Sequence, residues 1–238
     1  MPWLLRRRRV WLPTLGGWLL LIGIGAMLLA GFVFGVVGFL MPHEPAHGLD
    51  GHGAGTVVVE GWLDEADLDQ AIAALRSRHY ERVLVTGGPI ESWDDARVWK
   101  TYAARAAGYL KVRVPAGVEV IAVPAPATAK NRTYLSALMV REWARSAGVA
   151  LDAIDLYSAG VHARRSRLVY RLAFGPAVEV GVLAATPPGF DPQRWWSSSA
   201  GAKSVVGEAL SLLWTECCFW PPAPRSAEER PTVTARPR

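Results

Sequence analysis

Thr56-Val57-Val58-Val59-Glu60-Gly61-Trp62-Leu63 reads as a short buried strand that runs straight into a carboxylate, a glycine and a large aromatic. Four consecutive β-branched residues favour a strand, because their stiff side chains pack well on a pleated surface. Asp64-Glu65-Ala66-Asp67 then opens a helix, with Asp64 as its cap and an acidic first turn that complements the helix dipole. Strand, turn and helix make the first unit of an α/β repeat. Glu60 therefore stands at the carboxyl end of a strand, where open parallel sheets gather their ligands.

The same alternation continues through the chain. Leu68, Ile72 and Leu75 carry the first helix, predicted over Asp64 to Tyr80, and Arg82 to Thr86 is a second strand ending in Gly87-Gly88-Pro89. Ser92-Trp93-Asp94-Asp95 resembles a capping box that opens a helix through Val98 and Tyr102, with Gly108 closing it. Val118 to Val123, Ile154 to Ser158 and Val178 to Leu183 are three further strands. Helices are predicted from Asn131 to Ala147, from His162 to Phe174 and from Lys203 to Cys217. The expected fold is α/β: a Rossmann-like, open, mostly parallel five-stranded sheet with helices on both faces.

This domain, residues 56–220, follows a different kind of sequence. Residues 15–41 contain no charge and are long enough to span a bilayer, so they read as one transmembrane helix. A cleaved signal peptide would have a shorter apolar region and a small-residue cleavage site, and none stands directly after Met41. Residues 1–14 carry Arg6 to Arg9, whereas no Lys or Arg lies between Val10 and Leu75. The positive-inside rule then keeps the amino terminus in the cytoplasm and sends the domain outside the plasma (inner) membrane, as a single-pass protein. Residues 42–55 read as a linker, in which His43, His47 and His52 are too irregularly spaced to argue for a metal site.

Charge excludes a nucleic-acid partner. The net charge is +5, but of 26 basic residues four are Arg6 to Arg9 and four lie in the Pro- and Arg-rich tail of residues 221–238. That tail, expected to be disordered, also takes two of the 21 acidic residues, which leaves a body with 18 basic and 19 acidic side chains. The only cysteines, Cys217 and Cys218, are adjacent and read as buried small hydrophobes.

The unusual residues fall just after strands. Thr86-Gly87-Gly88 can bring backbone N–H groups close to an anion, or can be an ordinary strand-to-helix turn. Asn131, Arg132 and Thr133 open a helix whose amino end already favours negative charge; Asn131 and Thr128 can also be plain caps. Arg132 fits the capping account less well, because a helix amino end prefers acidic residues. His162-Ala163-Arg164-Arg165 repeats that placement, explained either by an anionic ligand or by Arg164 or Arg165 pairing with Glu60 or Glu91. Glu60 and His162 are the candidate proton-moving residues, with Gly87, Gly88, Asn131, Arg132, Thr133, Arg164 and Arg165 as ligand-binding residues. Glu91 and Glu208 look like solvated helix acids, and Trp62, Trp195 and Trp196 suit a pocket wall, a membrane surface or the core. No Gly-x-Ser-x-Gly elbow, Walker loop, dinucleotide Gly-x-Gly-x-x-Gly or Cys/His zinc spacing is present, so the sequence names no cofactor.

The order of Val57-Val58-Val59-Glu60-Gly61-Trp62, Val83-Leu84-Val85-Thr86-Gly87-Gly88-Pro89, Lys130-Asn131-Arg132-Thr133-Tyr134 and His162-Ala163-Arg164-Arg165-Ser166, all after a membrane segment, resembles the bacterial DUF218 family. The resemblance covers about residues 56–216; Glu60-Gly61-Trp62 departs from the glycine-richer turn of many members. It implies a Rossmann-like cell-envelope domain connected with peptidoglycan and lipid-carrier metabolism or with the envelope barrier, and it lends no settled reaction. The expected partners are the membrane and an anionic small-molecule or lipid-linked ligand, bound for catalysis or as a non-catalytic, nucleotide-like guest.

Overall fold

The computed structural model describes residues 12–44, 55–90, 98–128 and 130–221. The chain divides into two compact units, Met1–Val36 and Val37–Arg238. Most of the first is α1, Leu15–Leu40, a 26-residue helix long and apolar enough to cross a membrane. At 1.5 Å per residue it extends about 39 Å, more than the hydrocarbon core of a bilayer.

The second unit is built on a five-stranded sheet of order β3-β2-β1-β4-β5. Its strands are β1 (Thr56–Glu60), β2 (Arg82–Gly87), β3 (Glu119–Pro124), β4 (Ala153–Ala159) and β5 (Glu179–Ala185). Every pairing between them is parallel, so the expected α/β class holds and the sheet is more uniform than expected. The helices are α2 (Glu65–Arg76), α3 (Tyr102–Lys111), α4 (Arg132–Ser146), α5 (Ala163–Phe174) and α6 (Ser199–Cys218).

Both faces of the sheet are covered, which is why Val57, Val58 and Val59 are all apolar and all buried. Val57, Val59, Val83 and Val85 point into one core with Leu68, Ile72 and Leu110 of α2 and α3. Val58, Leu84 and Leu156 point into the other, with Ala137 and Val140 of α4 and Val169 and Tyr170 of α5. By the two-residue period of a strand, Glu60 at the end of β1 and Thr86 beside it, one residue before the end of β2, belong to this second face. The direction of chain progression reverses between β1 and β4, which places the crevice of this topology over the carboxyl end of β1.

Local signals set most boundaries. The Asp64 carboxylate accepts from Asp67 N–H at 2.9 Å and starts α2, and Gly148 (φ 66°) and Gly175 (φ 73°) follow α4 and α5 in conformations that glycine adopts without strain. The third helix differs from expectation. Residues 91–97, which include the Ser92 capping box and Glu91, lie outside the described residues, and Val98 to Lys100 are not helical. The helix begins at Tyr102 because Thr101 caps it, its hydroxyl accepting from Ala104 N–H at 3.1 Å. Gly108 lies inside that helix, which runs on to Lys111, rather than closing it; a β-carbon there would stand 2.6 Å from the Trp99 ring.

Three further expectations change. Helix α6 starts one turn before Lys203, because the Ser198 hydroxyl accepts from Gly201 N–H at 3.0 Å. Cys217 and Cys218 are exposed and joined in a disulfide, not buried as thiols. In the stretch expected to be a linker, Glu44 pairs antiparallel with Val182 of β5, while residues 45–54, with His47 and His52, lie outside the described residues. The tail of residues 222–238 also lies outside them.

Candidate functional site

A cleft of about 1020 Å³ opens over the carboxyl ends of β1, β2 and β3. Its floor is set by close backbone approach. Gly61 N–H donates to Thr86 C=O at 2.6 Å, and a β-carbon on Gly61 would lie 2.6 Å from that oxygen and 2.7 Å from Tyr102 C=O. Gly87, at φ 156°, would bring a β-carbon to 2.8 Å from Tyr102 Cβ. Arg105, from α3, donates to Leu63 C=O at 2.9 Å and ties down the turn after β1.

Glu60 lies in this floor with only 3% of its surface exposed. Burying a carboxylate is costly without hydrogen bonds, and two serines supply them. Ser158 Oγ donates to Oε2 at 2.5 Å, and Ser166 Oγ donates to Oε1 at 3.0 Å. The Tyr170 phenol is buried beside them; burial and then the Glu60 charge push its pKa up, against a smaller opposing effect of Thr86.

On one wall, His162, Arg165 and Glu208 form a cluster. Arg165 Nε donates to Glu208 Oε2 at 2.8 Å and Nη2 donates to Oε1 at 3.2 Å, a two-pronged pair. His162 Nδ1 lies 3.0 Å from Glu208 Oε1 and 2.8 Å from Arg165 Nη2. One nitrogen serves one of those contacts at a time: as N–H it donates to Glu208, and as a bare nitrogen it accepts from Arg165. Burial raises the Glu208 pKa, but the hydrogen bonds and charges of His162 and Arg165 outweigh it and hold the group at about 2. The Trp62 ring meets the His162 ring edge-on at 5.2 Å.

The opposite wall is the start of α4. Asn131 is the only non-glycine among the described residues with positive φ (φ 54°, ψ 40°), and its side chain makes no cap hydrogen bond. The capping account of Asn131 is thus not the one the structure uses, nor is that of Thr128, whose hydroxyl accepts from Lys130 N–H and donates to Lys130 C=O ahead of the helix. A left-handed residue followed by a right-handed helix turns consecutive N–H groups toward one point, a concavity suited to an anion. Asn131, Arg132 and Thr133 all line the cleft there. The far end is apolar, walled by Val169, Trp214 and Phe219, with the Tyr134 ring edge-on to Phe219 at 5.4 Å.

Eight of the nine residues singled out from sequence line this one cleft: Glu60, Gly87, Gly88, Asn131, Arg132, Thr133, His162 and Arg165. Arg164 does not. Its guanidinium lies 4.0 Å from the centre of the Phe39 ring and donates to the Phe39 carbonyl, because successive helix positions point about 100° apart. Sequence reasoning missed Ser158 and Ser166, and it read Glu208 as a solvated helix acid, whereas that side chain is largely buried and paired with Arg165 and His162. The signal for Glu208 was its spacing from Val205 and Leu212, which sets all three toward the interior face of α6. Trp62 lines the cleft and Trp195 is core. No group of His, Cys, Asp or Glu suited to a metal occurs among the described residues.

No family model, no curated protein and no solved structure matches this chain.

Proposed function

We propose that this is a membrane-anchored, extracytoplasmic cell-envelope protein whose cleft takes a phosphate- or pyrophosphate-bearing lipid or cell-wall precursor in envelope or peptidoglycan biogenesis. In this reading α1 is a single-pass anchor in the plasma membrane with a cytoplasmic amino terminus, as Arg6 to Arg9 favour. Kinship with the DUF218 family, which its motifs resemble, is part of the same proposal. The observation that carries it is the αL Asn131 at the head of α4, lining the same cleft as Arg165 and His162 at the sheet's reversal point. Arg132 and the first N–H groups of α4 hold the anion, and the apolar end beside Trp214 and Phe219 suits the hydrocarbon of a lipid-linked ligand. His162, oriented through Nδ1 by Glu208, carries the proton-moving role together with Glu60.

A non-catalytic, anion-binding version is favoured by one feature: both Glu60 oxygens are already taken by Ser158 and Ser166. Farnesyl diphosphate, a pyrophosphate with a hydrocarbon tail, separates the two in the full-length chain held in detergent. Binding is read by calorimetry and bond cleavage by phosphorus NMR. Arg132→Ala loses binding in both versions. Glu60→Gln and His162→Gln bind the probe but fail to cleave it if the protein is an enzyme. A wild-type chain that binds neither this probe nor inorganic pyrophosphate overturns the proposal.

A further inference from the structure

Helix α6 shows two faces. Val205, Leu212 and Thr215 are buried, whereas Val206, Leu210, Leu213 and Trp214 recur at helical spacing on the outside. Leu210, Leu213 and Trp214 are 63%, 60% and 52% exposed. Between Val206 and Trp214 this outer stripe carries no charge; Lys203 lies one turn before it and Glu216 at its edge. A helix of this kind on a water-soluble surface leaves a contiguous apolar patch that calls for a partner.

We infer that the outer face of α6 lies in the interfacial layer of the bilayer that α1 enters. This rests on reading α1 as a membrane span. The connection is short: residues from Val37 onward belong to the same compact unit as α6, and Leu40, where α1 ends, is buried in it. Arg164, in the first turn of α5, covers Phe39, and α5 in turn packs against α6. A membrane reached by the chain near residue 40 is therefore within one helix layer of the stripe. The stripe has the composition of an interfacial helix: aliphatic residues on one line with an amphipathic Trp beside them. Trp214 also lines the apolar end of the cleft, so a docked α6 brings that end to the lipid phase. A lipid-linked ligand then enters by sliding from the bilayer, with its hydrocarbon never crossing water.

The test uses the full-length chain in vesicles of phosphatidylcholine and phosphatidylglycerol, with the photo-cross-linking residue p-benzoylphenylalanine placed at position 210, 213 or 112. Position 112 is the control: Val112 is apolar and 78% exposed, but follows α3 on the other face of the sheet. Phospholipid adducts at 210 and 213, absent at 112, are the expected result. Leu210→Glu combined with the probe at 213 should abolish the adduct. A chain that floats with the vesicles yet gives no more adduct at 210 and 213 than at 112, or cross-links there to a second copy, overturns α6 docking and leaves the anchor standing. A chain that does not float with vesicles overturns the anchor reading and the docking with it.

Discussion

Ser158 and Glu60, 98 residues apart in sequence, meet in a 2.5 Å hydrogen bond under the cleft because β4 and β1 run side by side in parallel register. Val59 stands opposite Tyr157, so the next step along both strands brings the carboxylate beside the hydroxyl. Removing a donor from a buried carboxylate leaves part of its desolvation cost uncompensated. Ser158→Ala should therefore lose about 1–3 kcal/mol in urea unfolding. Adding Glu60→Gln should recover part of that loss, because an amide without charge needs less from its surroundings. An additive double mutant would show that the two side chains are not coupled.

Glu208 gives the fold an acid limit. Its folded pKa of about 2 lies below the ordinary 4.5, so the folded state binds protons less readily than the unfolded chain does. The stability it contributes is complete above about pH 4.5 and is lost as pH falls toward 2, up to about 3 kcal/mol. Melting temperatures of the wild type should fall steeply across that window. The Glu208→Gln variant should start lower at pH 7 and show a flatter slope below pH 4.5.

Asp67 acts in the opposite sense. It is 6% exposed, its Oδ1 accepts no hydrogen bond, and burial followed by the Asp64 charge raises its pKa from 3.8 to about 6. The folded state holds this proton more tightly than the unfolded chain, so the stabilising protonated form is lost as pH rises through about 6. Asp67→Asn should raise stability by about 1–2 kcal/mol at pH 7.5 and have little effect near pH 4, read from thermal unfolding at the two pH values. Equal effects at both would mean that the carboxyl is not the titrating group.

Gly61 and Gly88 both sit on the cleft side of strand ends, but they should respond differently to alanine. A β-carbon on Gly61 meets two backbone oxygens at 2.6 and 2.7 Å, neither of which can yield without parting β1 from β2 or α3. On Gly88 the nearest atom is 3.9 Å away. Gly61→Ala should cost about 3 kcal/mol or prevent folding, since overpacking against backbone leaves no rotamer to adjust. Gly88→Ala should fold with wild-type stability and differ only in what the cleft binds. Near-equal melting temperatures for the two would contradict this account of the turn.

The strands and the rim were legible because β-branched runs and Gly turns act locally, and parallel topology then fixes which loops share an edge. Val57 to Val59 and Thr86-Gly87-Gly88 needed no knowledge of distant residues. The partners of the charged groups were not legible. Nothing near Glu60 in sequence names Ser158 and Ser166, and Glu208 finds Arg165 only because α6 packs against α5. Helix α3 starts after Thr101 because that hydroxyl meets Ala104 N–H, a cap that the predicted start at Ser92 did not anticipate.

The adjacent arginines of α5 offer a direct separation of roles. Arg165 faces the cleft and pairs with Glu208, whereas Arg164 lies over the Phe39 ring and donates to its carbonyl. Arg164→Ala removes a cation–π contact and a charged donor outside the cleft, so it should lower thermal stability while leaving pyrophosphate affinity unchanged. On the proposed reading of the cleft, Arg132→Ala should do the reverse, because this side chain is exposed at the head of α4 and lines the cleft. Arg165→Ala should do both: it leaves Glu208 partly buried beside His162 alone and removes a cation from the cleft wall. The measurements are a thermal melt and a calorimetric titration with inorganic pyrophosphate on each variant. Loss of affinity in Arg164→Ala equal to that in Arg132→Ala would mean that the anion does not sit where α4 begins.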